Sequence, residues 1–340
     1  MGGPIALLRR ISRLVAEEIG RAVAPGPGEA EKRAAAADVG REAKNYAANI
    51  LSGGGGGSDL YKSWSATSSL LNSLDPRTRR VAARLLTDPM RHVWASIMDQ
   101  SRQGLQRDWK ALVVGNYNSK LRGRFPFDRK GKDAALADLS DFFRPSDGAY
   151  WSFVQNELAP FIAEGRRSWT QKSWLDQSPG FNDDFLRSLA RARTISDSLF
   201  RRGQDEPEIR FSVYPMPTRG LSEMSIEANG QNYRYRNEPQ EWRPFRWPNG
   251  EERVGAKIHG ITGKGGSRGQ LEFDGVWGIF HLLEQAKTTR DNGTEFLSSW
   301  ELRSTDGTPI TVQFKIKADR ENNVFDQNLF AGFNVPDSLF

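Results

Sequence analysis

Few residues of this chain could carry out catalysis or bind a metal ion. It has three histidines and no cysteine among 340 residues. His92 and His281 fall in segments with helical spacing and His259 ends a strand-like segment, and none has a second ligand at metal-site spacing. Asp183-Asp184 could form a carboxylate pair, but the first turn of a helix explains both acids. We therefore expect no metal, no cofactor and no catalytic site.

Two glycine-rich segments could in principle bind phosphate. The segment GITGKGGSRG (260–269) lacks the spacing of a phosphate-binding loop and leads into strand-like residues instead of a helix. The segment SGGGGGS (52–58) is not followed by Lys-Ser or Lys-Thr. We interpret the first as the tip of a hairpin and the second as a flexible linker.

Aromatic residues are the more informative feature. The segment EWRPFRWPNG (241–250) sets Trp242 and Trp247 among arginines and prolines. Such a segment could pack at the rim of a sandwich, form the hot spot of a protein interface, or stack against a sugar. From residue type we predict that a partner contacts Trp242, Trp247, Lys264 and Arg268. The alternative is a glycan-binding or peptidoglycan-binding sandwich that uses both tryptophans.

The spacing of apolar residues predicts two kinds of structure in turn. Up to residue 204 the period is helical, with Asp75-Pro76 and Asp88-Pro89 as two helix starts and Asn182 as a third. From 205 apolar and polar residues alternate, and Asn229-Gly230 is a strong hairpin signal. We predict an α+β fold in which an N-terminal all-α helical bundle precedes an antiparallel β-sandwich with one inserted helix, VWGIFHLLEQAK (276–287).

The predicted domains are appended helices with a glycine-rich linker (1–58), a helical domain (59–204) and a sandwich (205–340). The net charge is +6, and the positive excess lies before residue 205. No dense run of lysine and arginine supports nucleic-acid binding, so no nucleic-acid partner is expected. No segment reaches the length of about 20 apolar residues that a membrane span needs.

The segment RGRFPFDRKGKDAALADLSDFF (122–143) links two helical stretches. Residues before proline avoid the helical region, so Phe125-Pro126-Phe127 is predicted to be an extended strap. Asp133 is predicted to cap the helix that follows, and none of the side chains is a nucleophile. We interpret the segment as a buried aromatic connection, in which each large ring contributes about 2–3 kcal/mol by burial.

This segment and those around it resemble the C-terminal region of the IcmF/TssM family, the large inner-membrane component of bacterial type VI secretion systems. The resemblance spans about 70 to 317, with RARTISDSLF, IEANGQNYRYRNEP, FRWPNG and FDGVWGIFHLLEQA in the family's order. The matching positions of the family's structural motif are Phe125, Pro126, Phe127, Asp133, Phe142, Phe143, Pro160, Phe161 and Trp277. Two positions depart from the family pattern, Val276 and His281, which stand where proline and arginine are common.

The resemblance implies a non-enzymatic scaffold on the periplasmic side of the bacterial inner membrane. In the family the β domain of this region binds an outer-membrane lipoprotein of the TssJ type. Further partners implied are the other subunits of the secretion membrane complex, TssL-like proteins and copies of the chain itself. The family's membrane helices and nucleotide-binding-like domain have no counterpart in the sequence. We therefore expect a fragment or the product of a truncated or split gene. Any NTPase activity of the family's nucleotide-binding-like domain is not expected of this chain.

Overall fold

The computed structural model describes residues 29–340 except 166–167, 251–254, 264–265, 305, 321–322, 324 and 326–328, with side chains from residue 37. The chain forms two compact units. The first contains the described residues up to 116, Ser152–Ala190 and Val335–Phe340. The second contains Tyr117–Trp151 and Arg191–Asn334. The predicted domain boundaries at 58 and 204 remain a proposal.

Helices dominate the chain before residue 205. They are α1 Glu29–Asn49, α2 Asp59–Asn72, α3 Pro76–Trp109, α4 Gly115–Lys120, α5 Leu136–Phe143, α6 Ala149–Phe153 and α7 Asp183–Leu199. Between α6 and α7 lies a two-stranded antiparallel sheet of β1 Ile162–Glu164 and β2 Trp169–Gln171. Lys44 of α1 ties three helical segments of the first unit together, because its Nζ donates to Asp108 at 3.0 Å and to Glu157.

Two of the three predicted helix starts are confirmed. The Asp75 carboxylate accepts the backbone N–H groups of Arg77 and Thr78, and the Asn182 Oδ1 accepts that of Phe185 at 2.7 Å. The predicted start at Asp88-Pro89 is wrong, since α3 runs without a break from 76 to 109 and Pro89 lies inside it. The buried apolar stripe that follows Pro89 stabilises the continuous helix. This outweighs the loss of one backbone hydrogen bond, because proline has no N–H to donate.

The glycine run 53–57 forms two short helical turns with a kink at Gly53 (φ 84°), in the segment for which the sequence predicted a flexible linker. It continues α1 through the turn Ile50–Gly54 and the turn Gly55–Gly57. A Cβ on Gly55 would lie 2.6 Å from the ring of Tyr61, so glycine is required by the close approach. The run ends at Ser58, whose hydroxyl caps α2 and hydrogen-bonds the Tyr46 hydroxyl at 2.6 Å.

The second half is an antiparallel sandwich, which confirms the predicted α+β fold. The strands are β3 Ile209–Met216, β4 Leu221–Ala228, β5 Gln231–Tyr235, β6 Arg243–Trp247, β7 Gly255–Thr262, β8 Arg268–Asp274, β9 Lys287–Arg290, β10 Glu295–Arg303 and β11 Pro309–Ala318. The five-stranded sheet has the order β6-β3-β11-β10-β9 and the four-stranded sheet the order β5-β4-β7-β8. The inserted helix is α8 Gly278–Glu284, and the hairpin at Asn229-Gly230 is present as predicted.

The two sheets approach closely where two glycines face each other. Gly260 of β7 pairs with Gly269 of β8, and a Cβ on Gly260 would lie 2.8 Å from methyl groups of Ile310 and Val312. Gly269 also forms a bridge to Ser304 at the end of β10. Because both glycines lack side chains, the facing sheets can meet at this edge.

The segment 122–143 belongs to the second unit and packs against α8. Phe125 contacts Trp277 with ring centroids 5.8 Å apart, and the Trp277 indole N–H donates to the Ala134 carbonyl at 2.7 Å. The prediction that Asp133 caps α5 is wrong. Helix α5 begins at Leu136 with no side-chain cap, and the Asp133 carboxylate is instead 2.7 Å from Nε2 of His281.

The remaining rings of this segment form one aromatic cluster in the second unit. Phe142 and Phe143 are fully buried, and Phe127 lies between Phe143 and two rings from near the end of the chain, Phe330 and Phe333. The segment is not an extended strap, since the backbone turns between Arg124 and Phe127 through a cis peptide bond before Pro126. The ring positions are therefore held by a turn.

Candidate partner-binding surface

The histidines that could have formed a reactive centre lie far apart in the sequence or make structural contacts. His92 Nδ1 lies 2.8 Å from the Asp88 carbonyl in α3, and His281 pairs with Asp133. Burial lowers the pKa of His259, which lies on β7. In the described part of the chain, no three histidine, cysteine or acidic residues come together in a way that could hold a metal ion.

The described residues of four connections between strands meet at one end of the sandwich, which we call the loop end: 217–220, 236–242, 263 with 266–267, and 304 with 306–308. The strand registers place them there, since Leu221 is opposite Thr262 and Arg303 is opposite Pro309. Contacts between connections support this placement, because the Gly263 N–H donates to the Gly220 carbonyl at 2.9 Å. The loop end is therefore one surface built from both sheets.

Asp306 fixes two of these connections. Its carboxylate accepts from the Ser267 hydroxyl at 2.5 Å, from the Ser304 hydroxyl and from the Thr308 N–H at 2.9 Å. These donors hold the pKa of the Asp306 carboxyl well below its usual range, the Ser267 hydroxyl being the largest cause. Hydrogen bonds to the charged form thus tie the β7–β8 tip to the β10–β11 turn.

Trp242 is the large aromatic residue exposed beside the loop end. Its side chain is 38% exposed and its ring lies 5.1 Å from that of Tyr214 on the outer face of the five-stranded sheet. Lys317 Nζ lies 5.7 Å from the ring centroid, within cation–π range. A supported, partly exposed tryptophan of this kind is typical of an interface anchor.

Trp247 is not available to a partner, so that part of the predicted site is wrong. The residue is 1% exposed, its indole N–H donates to the Val276 carbonyl at 2.5 Å, and its ring packs 5.0 Å from both Trp277 and Phe280. Alternation along β6 explains the difference, since residue 247 faces the core, where Phe245 also lies.

Of the two predicted cationic contacts, the structure describes one. Arg268 is the first residue of β8 and is exposed. Lys264 lies outside the described residues. Partner contact by Trp242, Lys264 and Arg268 remains a proposal.

Sequence reasoning missed an ionic cluster on the outer face of the four-stranded sheet. Glu223 accepts from Arg234 through both carboxylate oxygens, at 2.7 and 2.8 Å, and from Arg236 at 2.8 Å. The pKa of Glu223 is lowered, first by the hydrogen bonds from Arg234 and then by those from Arg236. The sequence feature that could have predicted this cluster is the alternation in QNYRYR (231–236), which places both arginines on the same face.

A groove of about 470 Å³ lies on the five-stranded sheet between β3, β6 and the end of β11. Its rim carries Arg210, Arg246 and Lys317 together with Glu208 and Asp319. The Gln231 side chain covers the edge of β6, since its amide both donates to the carbonyl and accepts from the N–H of Arg246. This edge strand is therefore not free to pair with another strand at that point.

Comparison with known families supplies the identity. Residues 100–205 match the type VI secretion protein IcmF helical domain, and residues 211–318 match the type VI secretion protein IcmF C2-like domain. Together the matches cover more than half of the chain, in the order of the two folds described above.

The chain belongs to the IcmF/TssM family. It corresponds to the C-terminal region of that family. The type VI secretion system component TssM1 of Pseudomonas aeruginosa is 26% identical over 261 residues, which make up 76% of this chain. The chain spans 23% of the length of that relative.

Solved structures share the fold. A chain of a type VI secretion system membrane core complex superposes with a TM-score of 0.79 over 98% of this chain and 65% of that one, at 22% identity. The TssM C-terminal domain from EAEC gives a TM-score of 0.61 over 71% of this chain and 98% of that one, at 24% identity. Among the described residues of this IcmF/TssM chain, no helix is both long and apolar enough to span a bilayer.

The family-motif positions fall in both units. Trp277, Phe125 and the Phe142-Phe143 pair lie in the core of the second unit. Phe161, in the first unit, is fully buried before β1, and its carbonyl accepts from the Lys172 N–H at 2.9 Å. Pro160 precedes it and is half-buried.

Proposed function

We propose that this chain is a structural subunit of a type VI secretion membrane complex and acts on the periplasmic side of the inner membrane. The observation that carries the proposal is the ordered pair of IcmF domains, helical then C2-like, within one chain. The complexes named in the matched structures support the same role. The proposed mechanism is recognition and positioning of neighbouring subunits, with no bond-making step.

The proposed partner of the sandwich is an outer-membrane lipoprotein of the TssJ type. The loop end supports this choice because it combines two connections joined by hydrogen bonds to Asp306 with the exposed ring of Trp242 and the cationic Arg268. Exposed tryptophan and arginine side chains are typical of interface hot spots. Other subunits of the complex, TssL-like proteins and further copies of the chain, are proposed as additional partners.

Binding of the full chain to the lipoprotein encoded beside it tests the proposal. We expect micromolar or tighter affinity by calorimetry, and a loss of roughly tenfold or more for Trp242→Ala. Leu112→Ala is the matched control, since Leu112 is also a large exposed apolar residue and lies in the first unit. Absence of binding by the folded wild-type chain would overturn the lipoprotein assignment.

The structure does not contain the pair of exposed tryptophans on which the glycan-binding alternative depends. It required Trp242 and Trp247 to form a common platform, and Trp247 is buried under α8. Unchanged tryptophan fluorescence on addition of cell-wall fragments would remove it. No feature described above favours it over protein recognition.

A further inference from the structure

The tip of the α2–α3 hairpin carries an exposed apolar surface in the first unit. Leu70 near the end of α2 is 48% exposed, and Val81 and Leu85 in α3 are 64% and 68% exposed. Val81 and Leu85 are four residues apart, so their side chains lie side by side on one face of the helix. Residues 76–89 contain no fully buried side chain, and no other described segment covers the face of α3 that carries Val81 and Leu85.

Three arginines border this apolar pair. Arg77 lies four residues before Val81, Arg80 directly before it, and Arg84 three residues after it. At about 100° of rotation per residue, all three lie within about 100° of Val81 around the helix axis. Each is exposed, and within the described structure none forms an ion pair. The outer face of α3 is thus cationic around an aliphatic centre.

Other charges near the outer face of α3 have partners within the hairpin: Arg79 and Asp75 hydrogen-bond its backbone, and Asp88 pairs with Arg91 at 3.4 Å. Arg79 points to the opposite side, where its guanidinium donates to the carbonyls of Leu71, Asn72 and Leu74 at 2.9–3.1 Å and closes the end of α2. Asp75 is the single acidic residue between positions 60 and 87 of the sequence. Its carboxylate caps α3, so it does not neutralise the outer arginines.

We propose that the outer face of α3, defined by Arg77, Arg80, Val81, Arg84 and Leu85, binds the anionic surface of a phospholipid bilayer. Arginine side chains pair with phosphate groups while short aliphatic side chains enter the interface between headgroups and acyl chains. Charge complementarity selects this occupant, because a second copy of the chain would have to bring an acidic apolar surface to the same face. The inference does not depend on the lipoprotein partner.

Co-sedimentation of the full chain with vesicles tests the proposal. The experiment compares vesicles of neutral phosphatidylcholine with vesicles in which about 30% of the lipid is anionic phosphatidylglycerol. The wild-type chain is expected to bind the anionic vesicles and to lose affinity steeply as salt is raised. The triple change Arg77→Gln, Arg80→Gln and Arg84→Gln is expected to weaken partitioning roughly 100-fold, since each interfacial cation contributes about a factor of five.

A charge-matched control separates a site from general electrostatic attraction. Arg202, Arg219 and Arg303 are exposed and lie in the second unit, so changing all three to Gln removes the same charge without touching the hairpin. This control is expected to bind like the wild type. Val81→Ser with Leu85→Ser is expected to weaken binding by about tenfold with the charge unchanged. Because all these positions are exposed, circular dichroism should show an unaltered fold.

The N-terminal segment of the chain is also rich in arginine and needs its own control. Arg9→Glu with Arg10→Glu changes that segment and leaves the hairpin intact. If this variant loses binding while the hairpin triple variant retains it, the proposal is overturned. Three other results would each overturn it as well. They are equal binding of the two triple variants, equal binding of the wild type to neutral and anionic vesicles, and a concentration-dependent dimer that the hairpin changes abolish.

Discussion

Glu223 is the acidic residue of a three-residue ionic cluster with Arg234 and Arg236. The carboxylate is nearly buried while both guanidinium groups are more than half exposed. Solvent screening therefore limits the energy of the cluster, and its bidentate geometry favours orientation of the side chains more than stability. The cluster holds two cations in fixed positions on the outer face of the four-stranded sheet.

Glu223→Gln is expected to lower the free energy of unfolding by about 1 kcal/mol at pH 7, through weaker hydrogen bonds to both arginines. The pKa of Glu223 in the folded chain lies below its ordinary value of 4.5. The stabilisation is therefore fully present above pH 4.5 and is lost as the pH falls through the folded-state pKa. Urea unfolding at several pH values should show the wild type and the variant converging in acid. A constant difference from pH 7 to pH 3 would contradict the assignment.

At the scale of elements, single side chains decide where the helices begin and end. Asp75, Asn182 and Ser58 each satisfy backbone N–H groups at a helix start. The glycine run before Ser58 shows the opposite case, in which composition predicts flexibility and packing imposes order. Gly55 is confined by the Tyr61 ring, whereas Gly56 has no atom within 4 Å of a Cβ position.

Neighbouring glycines of this run offer a matched test. Gly55→Ala is expected to destabilise the first unit by about 1–3 kcal/mol, because its Cβ would overlap the Tyr61 ring. Gly56→Ala is expected to be neutral or slightly stabilising, since alanine loses less backbone entropy than glycine. Thermal unfolding of both variants checks this. Equal melting temperatures for the two would indicate that the run is a flexible linker after all.

At the scale of the whole molecule, the last residues of the chain complete the first unit. The Trp109 indole N–H donates to the Pro336 carbonyl at 2.8 Å, and Gln106 accepts the Leu339 N–H at 2.8 Å. Leu339 is fully buried, and the Phe340 ring stacks 5.1 Å from that of Phe181. Segments far apart in the sequence are therefore parts of one core.

Removal of residues 335–340 is expected to destabilise the first unit by about 3 kcal/mol or more. The loss combines the burial of Leu339 with the hydrogen bonds that the Trp109 and Gln106 side chains make to the tail. Urea unfolding followed by tryptophan fluorescence measures the effect. Asp337→Ala is the control, because the exposed Asp337 contributes its backbone carbonyl to Gln106. A truncated chain as stable as the wild type would contradict this role of the tail.

The sequence by itself determined the fold class, most strand positions and two helix starts. These follow from local periodicity and capping, which depend on neighbours within a few residues. The family followed separately, from the resemblance of an ordered set of motifs. The tertiary structure alone decided that Trp247 is buried and Trp242 exposed, that Asp133 binds His281, and that α3 passes through Pro89. Each of these depends on what a distant segment places against the residue, and neither propensity nor spacing encodes that contact.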